Sequence, residues 1–154
     1  MKKIILSSVA TVLLLIAMVG FILHRTVNED VSRIWISVTE IPGILKIGKS
    51  PNIPEWEVQK IMAYDDHFTA PTCTVYFANG IELLLSTGSV GFEGMDENQM
   101  LIGNDKYTVF GSKRDKVYQY PEEGVWYSLK TTRGAEEEII EAYLKARSVK
   151  PHSK

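Results

Sequence analysis

Thr72-Cys73-Thr74-Val75-Tyr76-Phe77 and Ile81-Glu82-Leu83-Leu84-Leu85 flank Ala78-Asn79-Gly80. Two runs of β-branched, aromatic and aliphatic residues thus meet at an Asn-Gly pair. Asn-Gly favours positive φ at both central turn positions, which matches the twist of paired strands. The stretch predicts a tight β-hairpin, and an antiparallel sheet is expected to grow from it.

Downstream, Ser86 to Asn98 reads as a long loop carrying Gly88, Gly91 and Gly94. Four strands are expected after it, at Gln99–Ile102, Tyr107–Phe110, Lys116–Tyr120 and Val125–Leu129. Gly103-Asn104-Asp105, Gly111 to Asp115 and Pro121 to Gly124 punctuate them. Short strands at this spacing, with a turn between each pair, predict an antiparallel meander. A helix is then expected from about Gly134 to Arg147, capped by Thr131 or Thr132. Glu136, Glu137 and Glu138 would fill its first turn and Lys145 and Arg147 its last, complementing the helix dipole. Ile140, Tyr143 and Leu144 would form its apolar face.

Upstream, Glu55 to Tyr64 reads as a second helix. Asn52 or Ser50 can cap it, Pro54 suits its first turn, and Val58, Ile61 and Met62 fall three and four apart. Val31 to Ile41 reads as a strand ended by Pro42-Gly43, with Ile44 to Ile47 continuing it after a bend.

Ile4 to Leu23 contains no charged residue. As a helix it would be about 30 Å long, the thickness of a bilayer core. It is apolar all round, and only Ser7, Ser8 and Thr11 are polar. A cleaved signal peptide has a shorter apolar core and a small-x-small site ahead of a polar mature start. Ala17-Met18-Val19-Gly20-Phe21 does not fit that pattern, and no cysteine follows for lipid attachment. A retained signal-anchor is therefore expected. Lys2 and Lys3 precede the span and Arg25 follows it, which places the N-terminus in the cytoplasm.

The fold class expected is thus α+β: a single N-terminal transmembrane helix, then a small antiparallel-sheet domain flanked by two helices. The segments are 1–25 (signal-anchor), 26–30 (linker), 31–147 (extracytoplasmic α+β domain) and 148–154 (polar tail). The whole chain has 154 residues, 45% of them hydrophobic and 23% charged, which suits one ordinary domain and not a disordered chain. Lys plus Arg number 17 and Asp plus Glu 19, a formal net charge of −2 that argues against nucleic acid. Without Lys2 and Lys3 the exported part is more acidic still. A single cysteine excludes an internal disulfide and any zinc site of several thiolates.

Candidate chemistry is sparse. Asp65-Asp66-His67 offers carboxylates and an imidazole for a metal or acid–base site, but a helix C-terminal turn with a solvated histidine explains the cluster more simply. Cys73 would need a base, and only His67 is placed to serve; a packed structural cysteine is the simpler reading. Gly88-Ser89-Val90-Gly91 lacks the nucleophile-elbow spacing, and the Gly88–Gly94 loop resembles no phosphate loop. No metal and no cofactor is expected. Phe92 and Met95 sit on the acidic loop, while Tyr118, Tyr120 and Trp126 belong to an aromatic excess in the late strands. Tyr118 and Tyr120 share one sheet face, and Trp126 and Tyr127 point to opposite faces. Aromatics of this kind are enriched in protein interfaces.

The function expected is therefore that of a non-enzymatic, membrane-anchored periplasmic binding protein. It would dock on or block another protein, as an immunity, exclusion or inhibitor factor does. Phe92, Met95, Tyr118, Tyr120 and Trp126 would be its partner-binding residues, and residues 4–23 would hold it in the inner membrane as a single-pass protein. Two alternatives remain: a structural subunit of an envelope or secretion complex, and a small hydrolase using His67 with Asp65 or Asp66.

Overall fold

Side chains alternate along the hairpin as the period of a strand requires: Cys73, Val75, Phe77, Leu83 and Leu85 are buried, whereas Thr72, Thr74, Tyr76, Glu82 and Leu84 are half-exposed. In the computed structural model, which describes residues 32–112, 115–131 and 136–149, this hairpin is the centre of an eight-stranded sheet. The strands are β1 (Ser32–Ile36), β2 (Val58–Asp65), β3 (Thr72–Phe77), β4 (Glu82–Ser86), β5 (Asp96–Ile102), β6 (Asp105–Gly111), β7 (Lys116–Glu122) and β8 (Val125–Thr131). Two helices accompany them, a short α1 (Ile41–Leu45) and the C-terminal α2 (Glu137–Val149).

The order across the sheet is β1-β2-β3-β4-β8-β7-β6-β5. Each half is a meander, and β8 joins them by pairing antiparallel with β4. The register sets out the core in rows. Ile61, Val75, Leu83, Leu129, Tyr118 and Val109 follow one another across the strands, and so do Ala63, Cys73, Leu85, Tyr127 and Tyr120. Both rows lie on one face, against which α2 buries Ile140 and Leu144.

Several contacts hold α2 there. The Tyr118 hydroxyl donates to Glu141 at 2.9 Å, Lys116 pairs with Glu137, and the Arg147 guanidinium lies 4.2 Å over the Tyr120 ring. Arg147 also reaches Glu122 at 3.2 Å. A strap from Ile47 to Glu57 completes this layer: the Asn52 N–H donates to the Tyr127 hydroxyl at 2.9 Å, and Trp56 packs on Phe77 and Tyr143, each with ring centroids 5.2 Å apart.

The α+β expectation of a sheet between two flanking helices is overturned. The chain is mostly antiparallel sheet, and Glu55 to Tyr64 is not a helix: it contributes β2. Paired against β3, this segment buries Ile61 and Ala63 and turns Lys60, Met62 and Tyr64 the other way. The cross-strand partners outweigh the weak helical spacing of Val58, Ile61 and Met62. The first strand also ends early, at Ile36. Ser37 then starts a helical turn, its N–H held by the Glu40 carboxylate at 2.7 Å, and Pro42 falls in the first turn of α1 where its missing N–H costs nothing. Among the described residues no helix is long and apolar enough to cross a membrane. The apolar stretch 4–23 and the linker 26–30 lie outside the described residues, as does the end of the tail from residue 150 onward.

The late strands match their expected positions to within a few residues. The Asn79-Gly80 turn has a different geometry from the one expected. Only Gly80 has positive φ, at 85°, and its N–H donates to the Phe77 carbonyl, while the Asn79 side chain accepts from the Ile81 N–H. This is a type I turn followed by a left-handed glycine, the three-residue alternative to the two-residue hairpin. The two-residue form with positive φ at both positions occurs instead at Glu123-Gly124, between β7 and β8.

Candidate functional site

The face of the sheet turned away from α2 divides into two halves. The connection from β4 to β5 must cross β8, β7 and β6, about 19 Å at the usual strand spacing. Residues 87–95 make that crossing over the back of the sheet. There the Gln119 amide donates to the Val90 carbonyl at 3.0 Å, and Phe92 packs on Phe110 with centroids 5.1 Å apart. Beneath them Val117, Gln119, Ser128 and Phe110 are buried. The Gln119 amide also meets the Ser128 hydroxyl at 3.0 Å, so this polar pair is satisfied under its cover.

Over β1 to β4 the same face stays open. Strand alternation brings Arg33, Trp35, Lys60, Tyr64 and Tyr76 onto it from three different strands. The Lys60 ammonium sits between two rings, 5.1 Å from the Trp35 centroid and 4.9 Å from that of Tyr76. Arg33 lies 5.6 Å over Tyr64. Trp35 is 64% exposed, an unusual state for the largest apolar side chain, and it stands on an edge strand. Each exposed cation–π contact contributes roughly 0.5–1 kcal/mol. The ladder therefore limits the rotation of Lys60 and Arg33 while leaving their charge at the surface. Lys130 and Glu82 face each other across β8 and β4 on this same side. With Lys130 at its border on β8, the half-face sets three cations against two carboxylates, Glu82 and Asp66, the latter accepting from the Tyr64 hydroxyl at 3.5 Å; the margin is one positive charge, in a chain of formal net charge −2.

The residues expected to bind a partner are distributed differently. Tyr118 and Tyr120 lie under α2, 0% and 3% exposed, and burial pushes both hydroxyl pKa values well up, with Glu141 and Glu137 adding to the effect at Tyr118. Phe92 folds back on Phe110 and Met95 is half-buried at the end of the crossing loop. Trp126, half-buried, lies on β8 on the face turned away from α2, opposite Ser86, at the border between the two halves. The structure thus does not bring the five together. Trp35, Lys60, Tyr76, Arg33 and Tyr64 were not singled out in the sequence. Their signal is alternation: Arg33 and Trp35 interleave with Ile34 and Ile36, and Lys60 and Tyr64 with Ile61 and Ala63.

Asp65-Asp66-His67 is a turn between β2 and β3, not the end of a helix. Asp66 Oδ1 accepts from the Phe68 and Thr69 N–H groups at 3.0 and 2.8 Å and from the Thr69 hydroxyl at 2.9 Å, and these bonds hold its carboxyl below the usual range. His67 has φ 60°, and its N–H and imidazole both turn to Asp65. The carboxylates are thus occupied in shaping the loop. Cys73 is 0% exposed on β3, and burial pushes its thiol up to about 11, leaving no thiolate at neutral pH. Among the described residues no group of three or more His, Cys, Asp or Glu side chains could hold a metal ion. No family model, no curated protein and no solved structure matches the chain.

Proposed function

We propose that this chain is a non-enzymatic binding protein that docks on another protein through the open half-face of β1 to β4. On this reading the apolar stretch Ile4–Leu23 tethers it at the membrane, with the sheet domain on the extracytoplasmic side. The observation that carries the proposal is the Trp35–Lys60–Tyr76 ladder, held at the surface on the half-face that the crossing loop leaves uncovered. Rigid aromatic area beside an oriented cation is the chemistry of interface anchors. The positive excess of the face suits an acidic partner surface, and charge of this kind sets association rate and partner choice.

Site-specific photocrosslinking in cells tests it. A benzophenone amino acid replacing Trp35 is expected to give a discrete protein adduct that Lys60→Glu weakens several-fold. The same group replacing Glu138, on the outer side of α2, should not give that adduct. No adduct from position 35, or the same adduct from position 138, overturns the proposal.

A further inference from the structure

On the other face of the sheet, the strap and the C-terminal half of α2 enclose a cleft of about 370 Å³, within the size range of small-ligand sites. Ile53, Pro54 and Trp56 line it from the strap, and Tyr143 and Ala146 from the helix. The Trp56 and Tyr143 rings meet at 60°, with centroids 5.2 Å apart, and form an aromatic corner. Two charged residues border this largely apolar wall, Glu55 and Arg147.

Arg147 does not present its charge to the cleft. Its guanidinium is turned to the sheet, 4.2 Å over the Tyr120 ring, and reaches Glu122 at 3.2 Å and Asp105 at 3.9 Å. The side chain is only 11% exposed, and its Nε–H is buried. Two carboxylates therefore more than offset this one cation. Glu55, by contrast, is exposed on the cleft wall and adds a third carboxylate.

The charges select the sign of the ligand. An anion would meet the surplus of carboxylates while the one guanidinium is turned away. A neutral molecule gains little from that field. A cation gains from the carboxylates and from the aromatic corner together. Hydration then selects the kind of cation. A primary ammonium brings three N–H donors, which an apolar wall with one carboxylate leaves short of acceptors. A quaternary ammonium has no N–H to satisfy, spreads its charge over methyl groups and is suited to aromatic walls.

We propose that this cleft binds a quaternary ammonium group, with its methyl groups packed in the Trp56–Tyr143 corner and Glu55 as the counter-charge. The site lies on the opposite side of the sheet from the open half-face and does not rest on the function proposed there.

The test uses the purified full chain in a maltoside detergent, which carries no ammonium group. In the Trp35→Phe/Trp126→Phe variant only Trp56 emits. The Trp56 indole N–H resonance of the wild-type chain reports the same titration if that variant does not fold. Choline is expected to shift the Trp56 signal saturably. It should bind at least about tenfold more tightly than its neutral isostere, in which a tert-butyl group replaces the trimethylammonium group. Phosphocholine separates the two sources of this chemistry: weaker binding than choline assigns the site to a free cation, and equal or tighter binding to a lipid headgroup. Glu55→Gln should weaken choline several-fold. Ala146→Arg, which puts bulk and positive charge at an exposed position on the cleft wall, should weaken it at least about tenfold, with an unchanged circular dichroism spectrum. No saturable shift with choline, equal binding of the isostere, or choline binding that survives Ala146→Arg overturns the proposal.

Discussion

A Cβ placed on Gly103 would lie 2.0 Å from Ser148 Oγ and 3.0 Å from Ser148 Cβ, so the turn between β5 and β6 and the last turn of α2 meet with no room for a methyl group. Gly103 also has φ 63°, a conformation that costs other residues about 1–2 kcal/mol. Gly103→Ala is expected to destabilise the domain by both effects, the overpacking alone contributing roughly 1–3 kcal/mol. Urea denaturation checks this. Adding Ser148→Ala should recover part of the loss by removing the nearer clashing atom.

Alkali should unfold the protein through its buried tyrosines. Burial raises the Tyr118 and Tyr120 pKa values well above the ordinary value, and that of Tyr127 to about 12. A folded-state pKa raised in this way contributes stability that is complete below the unfolded value of about 10 and is lost as pH rises beyond it. Tyrosinate absorbance and loss of circular dichroism are expected to rise together above about pH 10. Smooth ionisation of all seven tyrosines in a still-folded chain would contradict the assignment.

Acid should loosen the turn between β2 and β3. The Asp66 carboxyl is held below its usual range by the bonds from Thr69 and Phe68, so its contribution is present above the ordinary carboxylate value and fades as pH falls through the lowered one. Hydrogen exchange at the Phe68 and Thr69 amides, corrected for intrinsic rate, is expected to speed up on acidification. Asp66→Asn should remove most of that pH dependence, because its amide oxygen accepts without titrating.

Cys73 should be inert until the sheet opens. Its thiol is fully buried and protonated at neutral pH, so a thiol reagent is expected to label it only on addition of denaturant. Cys73→Ser should cost about 1–3 kcal/mol, the cost of a hydroxyl in an apolar row between Ala63 and Leu85.

The open half-face should be dispensable for folding. Trp35→Ala is expected to change stability by no more than about 1 kcal/mol and Lys60→Glu by no more than about 2 kcal/mol, the size of the one and the two exposed contacts they remove. Thermal melts check this, and they make the loss of the crosslinked adduct a statement about binding.

Where neighbours in the chain are also neighbours in space, the fold was legible. The hairpin at Asn79-Gly80 and the strands from β5 to β8 announce themselves by turn residues and a period of two. The segment around Ile61 does not. Val58, Ile61 and Met62 are spaced as on a helix, and only the presence of Val75 and Cys73 alongside decides that Ile61 and Ala63 face inward. Tyr118 and Tyr120 were correctly assigned to one face, but which face α2 covers depends on Glu141, Arg147 and the rest of that helix. The candidate site was the least legible part. Trp35, Lys60 and Tyr76 come from three strands, and no short motif records that they converge.

The seam between β4 and β8 joins strands that are far apart in the chain, whereas every other observed antiparallel partner of β2 to β8 is next in sequence. Each side of the molecule therefore rests on pairings local in sequence, and the two sides meet across Leu83 and Leu129. A polypeptide severed in the crossing loop would retain all the instructions for both pieces. They would find each other by docking, as two subunits do.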